Sequence, residues 1–266
     1  MYDHYNRQIN YLRVSVTDRC NLRCTYCMPA EGVSMLRHDE ILSFDEIVAF
    51  IKEAAALGVN KVRITGGEPL VRKGIVDLVR MVAEIPGIDD LSMTTNAILM
   101  SQFAELLWNA GLRRVNVSLD TINPEKFKQI TRGGDINSVI QGLAEAKRVG
   151  FNPIKINCVI EKSSNEPDAL AVKKFALSHG FEVRFITKMD LEHGIFSQVD
   201  GGEGGNCAGC NRLRLTANGL VKPCLFNDLS FSVRELGARE AIIKAIGLKP
   251  ESGTANHKGK FYNIGG

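Results

Sequence analysis

The chain is short of most features that would place it in a class at first sight. No stretch of its 266 residues is long and apolar enough to span a bilayer. The N-terminal run Met-Tyr-Asp-His-Tyr-Asn-Arg holds none of the apolar core that a secretory signal needs. A net charge of +3 is too small to argue for a nucleic-acid partner. Trp108 is the single tryptophan, and no basic-aromatic stripe accompanies it or the phenylalanines. The histidines His4, His38, His179, His193 and His257 fall at no ligand spacing such as i, i+4. Repeats are absent, and the one low-complexity tract, Gly201 to Gly205, reads as a flexible linker. The cysteines number seven, whereas a disulfide framework is expected to give an even count in a shorter secreted chain. The expectation is a cytoplasmic protein kept reduced, with no membrane partner and enough length to bury a real core.

What is present is a regular alternation. Strand-like runs at Leu12 to Val16, Lys61 to Ile64, Leu91 to Thr94, Arg114 to Leu119, Pro153 to Ile160 and Glu182 to Ile186 alternate with segments of helical period. Ser43 followed by Glu46 marks a capped helix start, and Asn123-Pro124 and Pro167 mark two more. This is an α/β pattern with a parallel sheet, because each crossover is a helix. Along the strands, Leu12, Val14, Val62, Ile64, Val115, Val117, Ile154 and Ile156 share one side. Arg13, Ser15, Lys61, Arg63, Thr65, Asn116, Ser118, Lys155, Asn157 and Arg184 take the other. A closed α/β barrel fills its centre with branched aliphatics. A cationic lining makes sense only around a wet cavity or an anionic ligand. Cys158 falls on the apolar side and reads as a small buried hydrophobe.

The cysteines form two groups of three around that lone residue. Cys20, Cys24 and Cys27 stand at C-x3-C-x2-C spacing with Tyr26 between the last two. Cubane clusters and structural zinc normally take four protein ligands, so three thiolates leave one position for a ligand that is not protein. A zinc knuckle would need a fourth ligand, and His38 is the only imidazole following closely. The run resembles the signature of the radical S-adenosylmethionine (SAM) superfamily, whose fold is an open, partial barrel of six parallel strands. In that superfamily the open iron chelates the methionyl part of SAM. Ile64-Thr65-Gly66-Gly67-Glu68-Pro69 resembles the motif that holds the SAM amino group. The resemblance implies cofactor contacts at Tyr26, Gly67, Thr94, Ser118 and Met189.

Cys207, Cys210 and Cys224 again supply only three thiolates, at C-x2-C-x13-C spacing. Together with the Arg212-x-Arg214 pair they resemble the GTP 3',8-cyclases of molybdenum-cofactor biosynthesis, whose second [4Fe-4S] cluster binds the guanine ring. On a strand, Arg212 and Arg214 share one face, where guanidinium forks suit phosphate oxygens. The resemblance implies substrate contacts at Arg13, Lys61, Lys155, Arg212 and Arg214. Arg63, Lys155, Arg184 and the terminal Gly265 and Gly266 are then expected at the reaction itself. In that family a radical generated from SAM takes hydrogen from the ribose C3' of GTP, and the carbon radical attacks C8 of guanine. The expected cofactors are two [4Fe-4S] clusters and SAM. The expected partners are GTP or a related anionic nucleotide and an electron donor such as a flavodoxin or ferredoxin, with a homodimer left open. Residues 1–190 are expected to form the barrel and 191–266 a small appendage with the second cluster. Another radical SAM reaction with an auxiliary cluster, or a non-catalytic electron-transfer protein, are the alternatives. Three departures from the family stand out. The segment between Met189 and Cys207 is much shorter than usual, Ala97 replaces a glycine, and the tail has Phe261 in place of methionine, with Lys258 and Lys260 near a missing arginine.

Overall fold

The structure is a computed structural model that describes residues 1–259 and 261–264. Six parallel strands lie side by side in chain order: β1 (Tyr11–Ser15), β2 (Lys61–Thr65), β3 (Asp90–Thr95), β4 (Arg114–Ser118), β5 (Ile154–Ile160) and β6 (Glu182–Thr187). Their crossovers carry α1 (Phe44–Ala56), α2 (Ile75–Ala83), α3 (Met100–Asn109), α4 (Pro124–Thr131), α5 (Ile136–Val149) and α6 (Pro167–Ser178). The expected α/β fold, an open partial barrel with a parallel sheet, is what the chain adopts. No helix among the described residues is long and apolar enough to cross a membrane.

Local chemistry explains the elements. Ser43 Oγ accepts from the Glu46 amide while the Glu46 carboxylate accepts from the Ser43 amide, closing both ends of a capping box at the start of α1. That helix then buries Ile47, Phe50, Ile51 and Ala54. Asn123 caps α4 ahead of Pro124. Leu12, Val14, Val62, Ile64, Val115, Val117 and Ile156 are almost wholly buried against the helices, and Cys158 joins them as expected.

The C-terminal part continues the sheet of the six-stranded barrel at the β1 edge. Strand β7 (Arg212–Leu215) pairs parallel with β1, and β8 (Leu220–Lys222) and β9 (Phe231–Ser232) follow antiparallel, so one nine-stranded sheet results. Short α7 (Val233–Leu236) leads into α8 (Ala238–Gly247), which packs on α1. A separate small core gathers Leu191, Leu225, Phe226 and Ile264, with Met189, Phe196 and Phe261 against it. It seats the last turn, α9 (Phe261–Ile264), beside the Cys224 segment.

The glycine run is also not a flexible linker. Asp200 and Phe185 exchange both backbone hydrogen bonds at 3.0 Å, which lays the segment along the edge of β6. The Val199 amide then donates to Gly204 at 2.7 Å, closing a tight turn. Gly205 has φ +80°, and a Cβ there would stand 2.0 Å from the Ser197 carbonyl oxygen. Glycine is therefore required by close approach rather than by slack. Gly205→Ala is expected to lower the unfolding free energy by more than the roughly 1–2 kcal/mol that left-handed backbone costs a residue with a Cβ. Urea denaturation measures it, and parental stability would return the segment to linker status.

Candidate active-site cavity

A cavity of about 360 Å³ runs along the polar face of the sheet. Cys20, Cys24 and Cys27 line it together with Cys207, Cys210 and Cys224. The strand directions set the order inside. Cys20 follows the carboxyl end of β1, whereas Cys210 precedes the amino end of β7, its parallel neighbour. Cys224 follows β8, which runs antiparallel to β7, and so returns to the same end as Cys210. The two thiol groups thus face one cavity from opposite ends of the strands.

The first loop is held mainly by the end of α4. Arg23 and Thr25 amides donate to the Thr131 and Ile130 carbonyls at 3.2 and 2.9 Å. Arg132 caps that helix with φ 54° and sends Nη1 back to the carbonyls of Arg23 and Met28, both at 2.8 Å. Gly66 and Gly67 also hold this loop in place. A Cβ on Gly67 would stand 2.3 Å from the Arg19 carbonyl oxygen, and one on Gly66 2.7 Å from that of Thr17. The Gly67 and Glu68 amides donate to the same Thr17 and Arg19 carbonyls at 2.7 and 2.8 Å. The glycine pair lets the end of β2 lie flush on the chain entering Cys20.

Burial governs the titration of this loop. It pushes the Cys24 thiol up to about 12 and Cys27 to about 11, with neighbouring thiols adding to the effect, and it raises Cys20. Thiols kept protonated by burial must lose their protons to ligate a metal, so cluster binding at this loop releases protons. Among the described residues no three His, Cys, Asp or Glu side chains converge tightly enough to share one metal ion. All three thiols of each group line the one cavity, and a polynuclear cluster takes one sulfur per iron. At the second group burial raises the Cys210 thiol, but Lys249 and Arg212 outweigh it and hold the pKa below its usual value.

Between the two ends lies a row of guanidiniums. Arg13 is in direct cross-strand register with Arg63 on one side and Arg214 on the other. Arg184 and Arg212 line the same wall. Burial lowers the pKa of Arg13, Arg63 and Arg214, the last to about 10, and the neighbouring arginines add to it. Arg184 Nε is buried with no hydrogen-bond partner among the described residues, as is Thr94 Oγ1. Orphaned donors beside converging like charges point to an anion with several acceptor oxygens.

The other sequence-derived residues divide. Tyr26, Gly67, Thr94, Ser118 and Met189 all line the cavity near the carboxyl ends of their strands or the loops that follow. Tyr26 donates its hydroxyl to Asp120 at 2.7 Å, beyond the end of β4. Lys61 and Lys155 do not join the lining. Lys61 is exposed at the start of β2, and the Lys155 ammonium pairs with Glu182. Gly265, Gly266 and Lys260 lie outside the described residues, although Phe261 reaches the cavity. Ala97 has φ 61°, so the residue in the family's glycine position does hold a left-handed backbone. Sequence reasoning missed Lys249, Phe196 and Phe226, which line the cavity from segments with no motif.

Glu68 gives this region a pH dependence. Its carboxylate accepts from the Leu70 amide, Thr95 Oγ1 and the Asn96 amide, yet burial pushes its pKa from 4.5 up to about 7. Between those values the folded state binds the extra proton, so stability falls as pH rises and levels off above about 7. Glu68→Gln should remove a fall on the order of 3 kcal/mol from the urea-denaturation profile of the apoprotein between pH 4 and 8. Parallel profiles for parent and variant would contradict the assignment.

Comparison with known proteins agrees with this geometry. The radical SAM superfamily profile matches residues 14–176. The chain is similar to the GTP 3',8-cyclase of Thermodesulfovibrio yellowstonii, with 41% identity over 314 aligned positions covering 97% of this chain and 96% of that one. It is also similar to the GTP 3',8-cyclase of Petrotoga mobilis, at 39% identity and 95% and 94% coverage. An alignment longer than the chain leaves dozens of positions of the first relative without a counterpart here, in keeping with a shortened segment. Among solved structures, Streptococcus suis SuiB bound to S-adenosylmethionine superposes with a TM-score of 0.66 at 16% identity, over 92% of this chain and 64% of that one, a likeness of fold. The chain belongs to the GTP 3',8-cyclase family of radical SAM enzymes.

Proposed function

We propose that the protein converts GTP to a 3',8-cyclised nucleotide, with Cys20, Cys24 and Cys27 holding the cluster that meets SAM and Cys207, Cys210 and Cys224 holding the cluster that meets guanine. The observation that carries this reading is the position of the guanidinium row between two three-thiol groups in one cavity. When bound, the clusters and SAM supply the one-electron and hydrogen-abstraction chemistry. The chain's own part is to bind and orient. Arg13, Arg63, Arg184, Arg212 and Arg214 present forked donors to a triphosphate and neutralise its charge. Thr94 and Ser118 offer hydroxyls, and Tyr26, fixed by Asp120, offers a ring edge at the SAM end. The turn at 197–205 and the small core around Phe226 wall the cavity and keep water out.

In this reading residues 1–190 serve SAM and residues 191–266 serve the second cluster. Lys155 acts through Glu182 at the edge rather than at the phosphates, and Lys61 contributes long-range charge only. The family resemblance assigns Gly265 and Gly266 to the reaction; the described residues before them, Phe261 and Ile264, are seated in the small core. A low-potential donor such as a flavodoxin or ferredoxin supplies the electron.

Anaerobic reconstitution is expected to give about eight irons per chain, the sum of two cubanes. With SAM, a reductant and GTP, it should give 5'-deoxyadenosine and a cyclised nucleotide. Replacing Cys20, Cys24 and Cys27 by Ala should leave about four irons and no SAM cleavage. Stoichiometric zinc, or cleavage in that variant, would sink the reading.

Arg214→Ala is expected to weaken GTP binding by about 1.5–3 kcal/mol, the scale of a charge-assisted hydrogen bond. SAM cleavage without substrate should persist, since Arg214 stands in β7 away from the first thiol loop. Calorimetry with GTP separates this from a peptide-modifying enzyme, for which the variant would bind like the parent.

A further inference from the structure

Lys249 is an unusual lysine. It follows α8 in the segment Lys249-Pro250-Glu251 and is only 3% exposed. Its ammonium donates to the Arg212 carbonyl at 2.8 Å and to the Pro223 carbonyl at 2.6 Å. Those carbonyls belong to the two segments that carry the second thiol group, two residues after Cys210 and one before Cys224. Cys210 and Cys224 are the groups of opposite sign that face it. One side chain therefore spans both segments and leaves its remaining donor on the thiol side.

Arg7 makes an instructive contrast. It is also buried, and its guanidinium donates to the Cys207 carbonyl at 2.8 Å and to the Glu251 and Pro250 carbonyls at 2.7 Å each. Its charge is matched by Asp3 through a 2.6 Å contact. Arg7 is a neutralised clamp, whereas the charge of Lys249 is directed at sulfur.

On the reading that Cys207, Cys210 and Cys224 hold a cluster, we infer that Lys249 positions the second thiol group and tunes it: it locks the Cys210 and Cys224 segments together and supplies a fixed positive charge that makes the cluster there easier to reduce. Each thiolate and each added electron makes the site more negative, and net charge together with hydrogen bonds to sulfur are the chain's means of setting a cluster's potential. A cation anchored by two carbonyls cannot swing away, so its effect on the reduced state is permanent. Arg212 shares the neighbourhood but sends Nη2 to the Glu203 carbonyl at 2.7 Å and lines the cavity, where an anionic substrate competes for it. Lys249 keeps its task whether or not substrate is present.

The test uses the full-length chain reconstituted anaerobically, with iron content, chelator-driven iron release and an electron-paramagnetic-resonance redox titration of each cluster. Lys249→Met keeps the stem and removes the charge. It should move the second cluster's midpoint to more negative potential, leave the first unchanged, and speed iron release from the second by about tenfold, the scale of losing an outer-shell partner. Lys249→Arg keeps the charge and should restore the midpoint toward the parent value. A parental midpoint in Lys249→Met, or an equal shift in Lys249→Met and Lys249→Arg, would overturn the inference. If Lys249→Met fails to hold the second cluster, retention by Lys249→Arg supports the charge role and loss by both refutes it. Failure of the underlying cluster reading looks different, because the parent itself would then carry only about four irons.

Discussion

The parallel pairing of β1 with β7 is the contact on which the rest of the site depends. It joins residues about two hundred positions apart and sets Arg13 beside Arg214 and Tyr11 beside Arg212. Because both strands run the same way, the chain leaves β1 toward Cys20 at one end and enters β7 from Cys210 at the other. Five residues of strand rise roughly 16 Å, and the pairing puts the two thiol segments beyond opposite ends of strands of about that length. A slip of one residue would turn Arg214 to the apolar side and remove it from the cavity.

The electrostatic design follows from the same register. Like charges directly opposite on neighbouring strands are destabilising, and burial makes them more so. Two buried carboxylates are committed elsewhere. Glu68 is occupied by Leu70, Thr95 and Asn96 at the carboxyl ends of the strands, and Asp120 by Tyr26 and the Val159 amide. Acidic side chains are thus gathered at the carboxyl ends of the strands and guanidiniums toward the β7 side. A ligand that binds only the folded state stabilises it, so an anion taken up by the guanidiniums should raise the stability of the chain.

Much of this was legible in the sequence, for a definite reason. Alternation on a strand has a period of two, so Arg13 could be put with Arg63 on the polar side, and Arg212 with Arg214 on one face of their own strand, without knowing the sheet order. Cysteine spacing within a loop is local, and so is a capping box such as Ser43 with Glu46. What stayed hidden was long-range. Nothing near Arg212 announces that β7 extends the barrel sheet beside β1. Lys249, between a helix end and Pro250, reads like any surface lysine, and its burial depends on segments far away in the chain. Lys61 and Lys155 have the facing that alternation gives, but the exposure of Lys61 at the start of β2 and the pairing of Lys155 with Glu182 are not contained in alternation. The glycines at 201–205 look alike in a slack linker and in a turn too crowded for a Cβ.

The route by which β7 arrives carries a consequence for assembly. Neighbouring pairs from β1 to β6 close loops of one crossover each, whereas β1 with β7 closes a loop of most of the chain, and loop-closure entropy grows with that length. During synthesis the first six strands are available while β1 is still an unprotected edge, with Arg13 facing a half-built cavity. The first thiol loop, tied to α4 and to Gly66-Gly67, is complete at that stage. The second exists only after the last strands dock. The topology therefore favours an order of closure in which the segment carrying Cys20, Cys24 and Cys27 is packed before the one carrying Cys207, Cys210 and Cys224.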